Sequence, residues 1–167
     1  TLSTGFDVST ASFSQSFSVS SQESSPTGIA FNTNGTKMFI TGSNGDEVNE
    51  YSLSTGFNVS TASFTTNFSV SAQDTSPQDI AFSTDGTLMF IVGSTGGDVN
   101  EYILSTGFDV STASFVDSFS VSAQEANPKS IAFNTTGTKM FIVGNLGDAV
   151  NEYTLSTGYD VSTATYS

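Results

Sequence analysis

The segment "LSTGFDVSTASF" begins at Leu2, returns as "LSTGFNVSTASF" at Leu53 and again in its first form at Leu104, and closes the chain as "LSTGYDVSTATY" from Leu155. The spacing is 51 residues each time, as from Leu2 to Leu53. A period of that length means the fold is set by one unit and its stacking, so the unit must be explained first. The chain reads as one repeat domain, 1–167, with repeats at 2–52, 53–103 and 104–154 and a partial fourth copy at 155–167.

Within a unit, "SPTGIAF" sets Pro26 ahead of a short apolar run, a strand entry because proline cannot donate to a ladder. "NTNGT", "STDGT" and "NTTGT" then supply a glycine for a tight hairpin. The next run, "KMFIT", is apolar on both faces and predicts a central strand covered above and below. "EVNEYSL" follows a Gly-rich turn at Gly42, with Asn49, Tyr51 and Leu53 on one face and Val48 and Glu50 on the other. In "FSQSFSVS", Phe13, Phe17 and Val19 alternate with serines, the pattern of a half-exposed outer strand. Each unit is therefore four antiparallel strands, and no helical periodicity occurs. The fold class is all-β, with four-stranded blades of the β-propeller type, three to a chain. A β-solenoid is the alternative, but its coils are shorter and do not need a hairpin turn in every copy.

"SPTGIAFNTNGTKMFITG" and its two successors resemble the P-x-x-(I/L)-A-F-x-x-D-G-T-x-(M/L)-(F/Y)-V pattern of YVTN- and lactonase-like propeller repeats, over about the first half of each unit. The "NEYxLSTGFDVSTASF" half is similar to Ser/Thr-rich repeat arrays of exported and phage-associated proteins. The first resemblance implies blades. It also implies metal-binding or catalytic His and Arg around the central channel, and this sequence has neither. Blades of this kind serve enzymes, surface-layer proteins and adhesins alike.

Composition narrows function further. Sixteen acids face three bases, Lys37, Lys129 and Lys139, for a net charge of −13. That balance repels nucleic-acid phosphates and anionic membranes, and no apolar run approaches the ~20 residues of a span. Without His or Cys there is no Ser-His-Asp set, cysteine nucleophile or ordinary zinc site. Carboxylate-only glycosidase chemistry and oxygen-ligated Ca²⁺ or Mg²⁺ survive that filter. The acids recur once per repeat, however, and mark no single copy as an active site. No signal peptide or initiator Met is present, which reads as a mature or excised form, and the hydroxyl-rich acidic surface suits an extracellular, particle- or cell-surface location.

Three blades are too few for a ring, which takes about four to eight. The chain opens with an outer strand near Phe13–Ser20 and ends with inner strands near Ile131–Leu155, so the spare strand is expected to complete a blade of another copy. Head-to-tail assembly then gives a closed ring or a filament. Thr1–Ser14 and Thr154–Ser167 are the same segment, so a junction contains it twice: one copy is displaced, or the chain is cut from a longer array.

Candidate sites follow the repeat. Asp46, Glu50, Asp98, Glu101, Asp148 and Glu152 are candidate Ca²⁺ ligands. The alternative is that each Glu accepts hydrogen bonds from backbone N–H or Ser/Thr between blades, or faces water. Asn34, Asn58, Asn67 and Asn134 sit in glycosylation sequons. Phe31, Phe39, Phe82, Phe90, Phe133 and Phe141 read as core, and Phe6, Phe57 and Phe108 as outer-loop staples or interface. The expected function is a non-enzymatic extracellular structural or adhesive protein that self-assembles head to tail. The alternative is a lectin-like propeller that binds glycans, assisted by Ca²⁺. The expected partners are other copies of the chain, then glycans, with no nucleic acid and no membrane insertion.

Overall fold

The computed structural model describes all residues, Thr1–Ser167. It contains three four-stranded antiparallel sheets. The first is β1 (Pro26–Phe31), β2 (Lys37–Gly42), β3 (Glu47–Leu53) and β4 (Ala62–Ser69). The second is β5 (Pro77–Phe82), β6 (Leu88–Gly93), β7 (Asp98–Leu104) and β8 (Ala113–Ser120). The third is β9 (Pro128–Phe133), β10 (Lys139–Gly144), β11 (Val150–Leu155) and β12 (Ala164–Tyr166). Sheet order follows chain order in each, so every blade is a meander from inner edge to outer edge. No helix is long and apolar enough to cross a membrane.

The two-sided apolar run does what its pattern demands. Phe39 of β2 faces the second blade, while Met38 and Ile40 face the other way. The first interblade core joins Phe39 and Val48 to Ile80, Met89, Ile91 and Val110. The second joins Phe90, Val92 and Val99 to Ile131, Met140, Ile142 and Val161. One face of each blade thus packs on the opposite face of the next, and burial of these side chains is what holds the arc together.

Hairpin and outer loop are locked to each other. Gly35, Gly86 and Gly137 take φ of 70°, 73° and 68° in the β1–β2, β5–β6 and β9–β10 hairpins. The rings of Phe57, Phe108 and Tyr159 lie over these glycines, so closely that a Cβ would fall 2.2–2.3 Å from ring carbon. Each aromatic itself adopts a positive φ, 58° to 66°, and donates its N–H to the glycine carbonyl at 2.9 Å. Phe57, Phe108 and their counterpart Tyr159 are therefore staples of the outer loop to the hairpin.

One strand expectation is corrected. Phe13–Ser20 forms no strand. Each outer strand follows the three inner strands of its own blade, and the N-terminal copy has none to pair with; a strand exists only where a neighbour supplies the ladder. Phe17 nevertheless packs edge-on against Tyr51, with centroids 5.6 Å apart, as Phe68 does on Tyr102 and Phe119 on Tyr153.

Candidate functional site

The first strands of the three sheets lie side by side, β1 against β5 and β5 against β9. β1 and β5 approach closely at Gly28, where a Cβ would sit 2.7 Å from the Asp79 Cα and 2.9 Å from the Thr41 methyl. Only glycine fits there. The residues after each strand-opening proline differ between copies, as Thr27-Gly28, Gln78-Asp79 and Lys129-Ser130. They build a polar seam across the blades. The Thr27 hydroxyl donates to the Pro77 carbonyl at 2.9 Å, and the Lys129 ammonium to Gln78 Oε1 at 2.9 Å. Asp79 Oδ2 accepts from the Ser130 hydroxyl at 2.6 Å and from the Ile131 N–H at 3.1 Å. Asp79 is the only carboxylate, and Lys129 the only cation, on β1, β5 and β9.

The six acids proposed as metal ligands lie elsewhere. Glu50, on β3, accepts the Val110 N–H of the next blade at 3.0 Å and pairs with Lys37 at 2.7 Å. Glu101 accepts the Val161 N–H at 3.0 Å. Burial pushes the Glu101 carboxyl above its usual range, partly offset by that N–H. Glu152 has no following blade and pairs with Lys139 in a more exposed position. Asp46 and Asp148 take positive φ, 53° and 49°, in the turn before the third strand, where the second copy has Gly97. Asp98 is offset by one residue and opens β7. Nowhere do three or more acidic side chains gather as a metal centre. Glu50 and Glu101 act as rivets from one blade to the backbone of the next, the alternative read from the sequence.

A second set of acids escaped the sequence reading. Glu23, Asp74 and Glu125 are each 1 % exposed. Glu23 accepts from the N–H groups of Ser25 at 2.6 Å and Gly45 at 3.0 Å. Asp74 does the same with Ser76 and Gly96, and Glu125 with Asn127 and Gly147. The Gly147 and Asn127 N–H groups hold the Glu125 carboxyl below its usual range. The signal was present: an acid stands three residues before each strand-opening proline. Asn49, Asn100 and Asn151 are likewise buried, and their amide N–H groups have no protein partner.

The sequons are mostly engaged locally. Asn34 accepts from Thr36 N–H and hydroxyl within its hairpin, Asn58 caps a 3-10 turn through Ser60, Asn67 donates to Glu47, and Asn134 accepts the Lys139 N–H. Two grooves are open. One, about 310 Å³, lies on the outward face of the first blade among Phe17, Val19, Ile29, Met38, Ile40 and Val59. The other, about 330 Å³, lies between Phe31, Phe82 and Phe108.

No protein-family model and no curated protein matches this sequence. Solved structures do. A Bacteroides uniformis protein bearing the name 6-phosphogluconolactonase superposes with a TM-score of 0.61 at 12% identity, over 85% of this chain and 39% of its own. The Pseudomonas aeruginosa periplasmic gluconolactonase matches at 0.55 and 10%, over 84% and 39%. The propeller domain of Myceliophteria thermophila Cps50 (Swd1) matches at 0.56 and 9%, over 85% and 41%. The chain has a lactonase-like β-propeller fold. It spans about two-fifths of the length of these structures, and at such identities the likeness is one of fold.

These neighbours also correct the functional expectation. A non-enzymatic structural or adhesive protein was expected because catalytic His and Arg are missing, but three of the neighbours of this fold are named as lactonases. Missing side chains remove particular catalytic groups; they do not remove the chain from a fold on which hydrolases are built.

Proposed function

We propose that this arc belongs to a lactonase-type propeller that takes a polar sugar-acid lactone along the seam formed by β1, β5 and β9. The observation that carries the reading is the contrast within the repeats. "IAF" follows in every copy, while the two residues before it change from Thr27-Gly28 to Gln78-Asp79 to Lys129-Ser130. A scaffold position asks for the same residue in each copy. A recognition surface asks for different donors and acceptors at different points around one small molecule.

The chemistry of the set suits such a ligand. Lys129 offers an ammonium to a carboxylate or phosphate on a chain that is otherwise strongly acidic. Thr27, Gln78 and Ser130 offer hydroxyl and amide groups to sugar hydroxyls. Asp79 is the group placed to accept a proton from an attacking water. The names of the structural neighbours, gluconolactonase and 6-phosphogluconolactonase, give the same substrate class.

The test is acid release from glucono-δ-lactone followed in a pH-stat, with gluconate binding measured by calorimetry. Lys129→Ala is expected to weaken gluconate binding about tenfold, one lost charge-assisted hydrogen bond. Asp79→Asn is expected to bring ring opening down to the rate of buffer alone. Wild-type protein that releases no acid above buffer and gives no binding heat overturns the reading.

A further inference from the structure

We propose that the two open flanks of the arc are the two halves of a single interface, and that a second copy of this chain covers them to close a six-bladed ring. This inference is independent of the ligand reading, because it rests on packing and is read by mass rather than by heat or acid.

Both internal junctions show what a complete interface contains. Each has a three-ring cluster: Phe39 lies 4.6 Å from Phe82 and 6.3 Å from Phe108, and Phe90 lies 4.5 Å from Phe133 and 6.1 Å from Tyr159. The head of the chain carries two-thirds of a third cluster, Phe31 and Phe57 at 5.5 Å. The missing ring has its counterpart at the tail, where Phe141 is only half-buried and joins no aromatic pair. Burial tells the same story from both sides. Val48 and Val99 are fully buried, but the tail equivalent Val150 is 68% exposed. Ile80 and Ile131 are buried, but the head equivalent Ile29 is 56% exposed.

The polar rivets are split in the same way. Glu50 and Glu101 hold the N–H groups of Val110 and Val161 in the next blade, whereas Glu152 at the tail has none to hold. Its repeat counterpart, Val59, lines the open groove at the head. Lys37 donates to the Phe108 carbonyl at 2.6 Å, so Lys139 at the tail is placed to meet the Phe57 carbonyl of the second copy.

The outer strand closes the case. In complete blades Glu50 pairs with Thr66, Asn49 with Asn67 and Val48 with Phe68. At the tail β12 pairs only Tyr153 to Leu155, and the Ser167 N–H donates to the Glu152 carbonyl at 3.0 Å. Carried over by the repeat, the free partners of Glu152, Asn151 and Val150 are Gln15, Ser16 and Phe17, which form no strand of their own. Ser167 and Ser14 occupy the same repeat position, so Gln15 of the second copy takes up the ladder where Ser167 leaves it. Phe17 already rests on Tyr51, as Phe68 rests on Tyr102. The duplicated head segment, Thr1–Ser14, is the copy left outside.

Two interfaces form when two arcs close, and three blades per chain then give six, inside the four to eight of closed propellers; three chains give nine, outside it. The experiment is light scattering on the full chain over a concentration series. The expected mass is twice 17.4 kDa. Val150→Glu spoils only the tail flank and Ile29→Glu only the head flank, each at a side chain exposed in the single chain. Each variant alone is expected at 17.4 kDa, and an equimolar mixture is expected to recover the dimer through its one intact junction. A wild-type chain that stays single overturns the proposal without recourse to either variant. So does a wild-type species larger than a dimer, a variant that dimerises alone, or a mixture that stays monomeric.

Discussion

Thr1–Ser14 and Thr154–Ser167 are one sequence placed at two ends of the molecule, differing only at Phe6/Tyr159, Ser12/Thr165 and Phe13/Tyr166. Their backbones agree closely. Both form a 3-10 turn, Val8–Thr10 and Val161–Thr163, capped by an aspartate whose carboxylate accepts the serine N–H two residues on. Phe6 and Tyr159 both take a positive φ, 60° and 66°. Burial is where they part. Val8 is 81% exposed and Val161 fully buried; Phe6 is wholly exposed, while Tyr159 packs on Phe90 and Phe133. Local shape is written in the segment, through its Asx cap and its tolerance of the left-handed region. Whether that shape contributes to stability depends on having a hairpin and a neighbouring blade to press against.

Paired substitutions sharpen that contrast. The largest difference is expected between Tyr159→Ala, which should cost about 3 kcal/mol or more in urea unfolding, and Phe6→Ala, which should change stability by less than about 0.5 kcal/mol. Equal effects would mean the head copy is packed as well. Next comes the glycine two residues after the segment's serine. A Cβ on Gly158 would meet the Thr136 carbonyl oxygen at 2.4 Å, whereas one on Gly5 would meet nothing within 4 Å. Gly158→Ala should therefore lower stability by about 2 kcal/mol, and Gly5→Ala should leave the midpoint of the transition unmoved. Loss of the cap is smaller: Asp160→Ala should cost about 1 kcal/mol globally and Asp7→Ala nothing measurable in the same transition.

The smallest effect is one of pH, at the glutamate that holds the tail copy. Burial raises the Glu101 carboxyl above its ordinary 4.5. Below that value the group is protonated in both folded and unfolded chain. As pH rises through the unfolded value toward the raised folded one, ionisation favours the unfolded chain. Wild type should therefore lose melting temperature relative to Glu101→Gln as pH rises past the ordinary 4.5. A difference independent of pH would remove the burial account of that side chain.

Much of the fold was legible because the repeat states it three times. The two-sided run "KMFI" gave the central strand, and the hairpin glycines gave Gly35, Gly86 and Gly137 their turns. What stayed hidden depends on partners distant in the chain. Phe13–Ser20 has a strand's alternation but no ladder within one chain. For Glu50 and Glu101 the sequence offered an interblade hydrogen bond beside a metal role, but not its partners, because the N–H groups they hold lie 60 residues away. Glu23, Asp74 and Glu125 went unnoticed because a buried acid that caps a turn looks, in sequence, like any loop acid. The inner-edge set of Gln78, Asp79, Lys129 and Ser130 was visible only as variation inside a repeat, and its meaning came with the convergence of β1, β5 and β9.

Among the hydrogen bonds common to both ends is that of the Thr10 N–H to the Asp7 carbonyl and of the Thr163 N–H to the Asp160 carbonyl, each 3.1 Å. Native-state hydrogen exchange at these two amides isolates packing from local geometry. The account predicts that Thr163 opens only with the global unfolding of the arc, while Thr10 exchanges at nearly the rate of an unstructured peptide. Comparable protection at the two sites would contradict it.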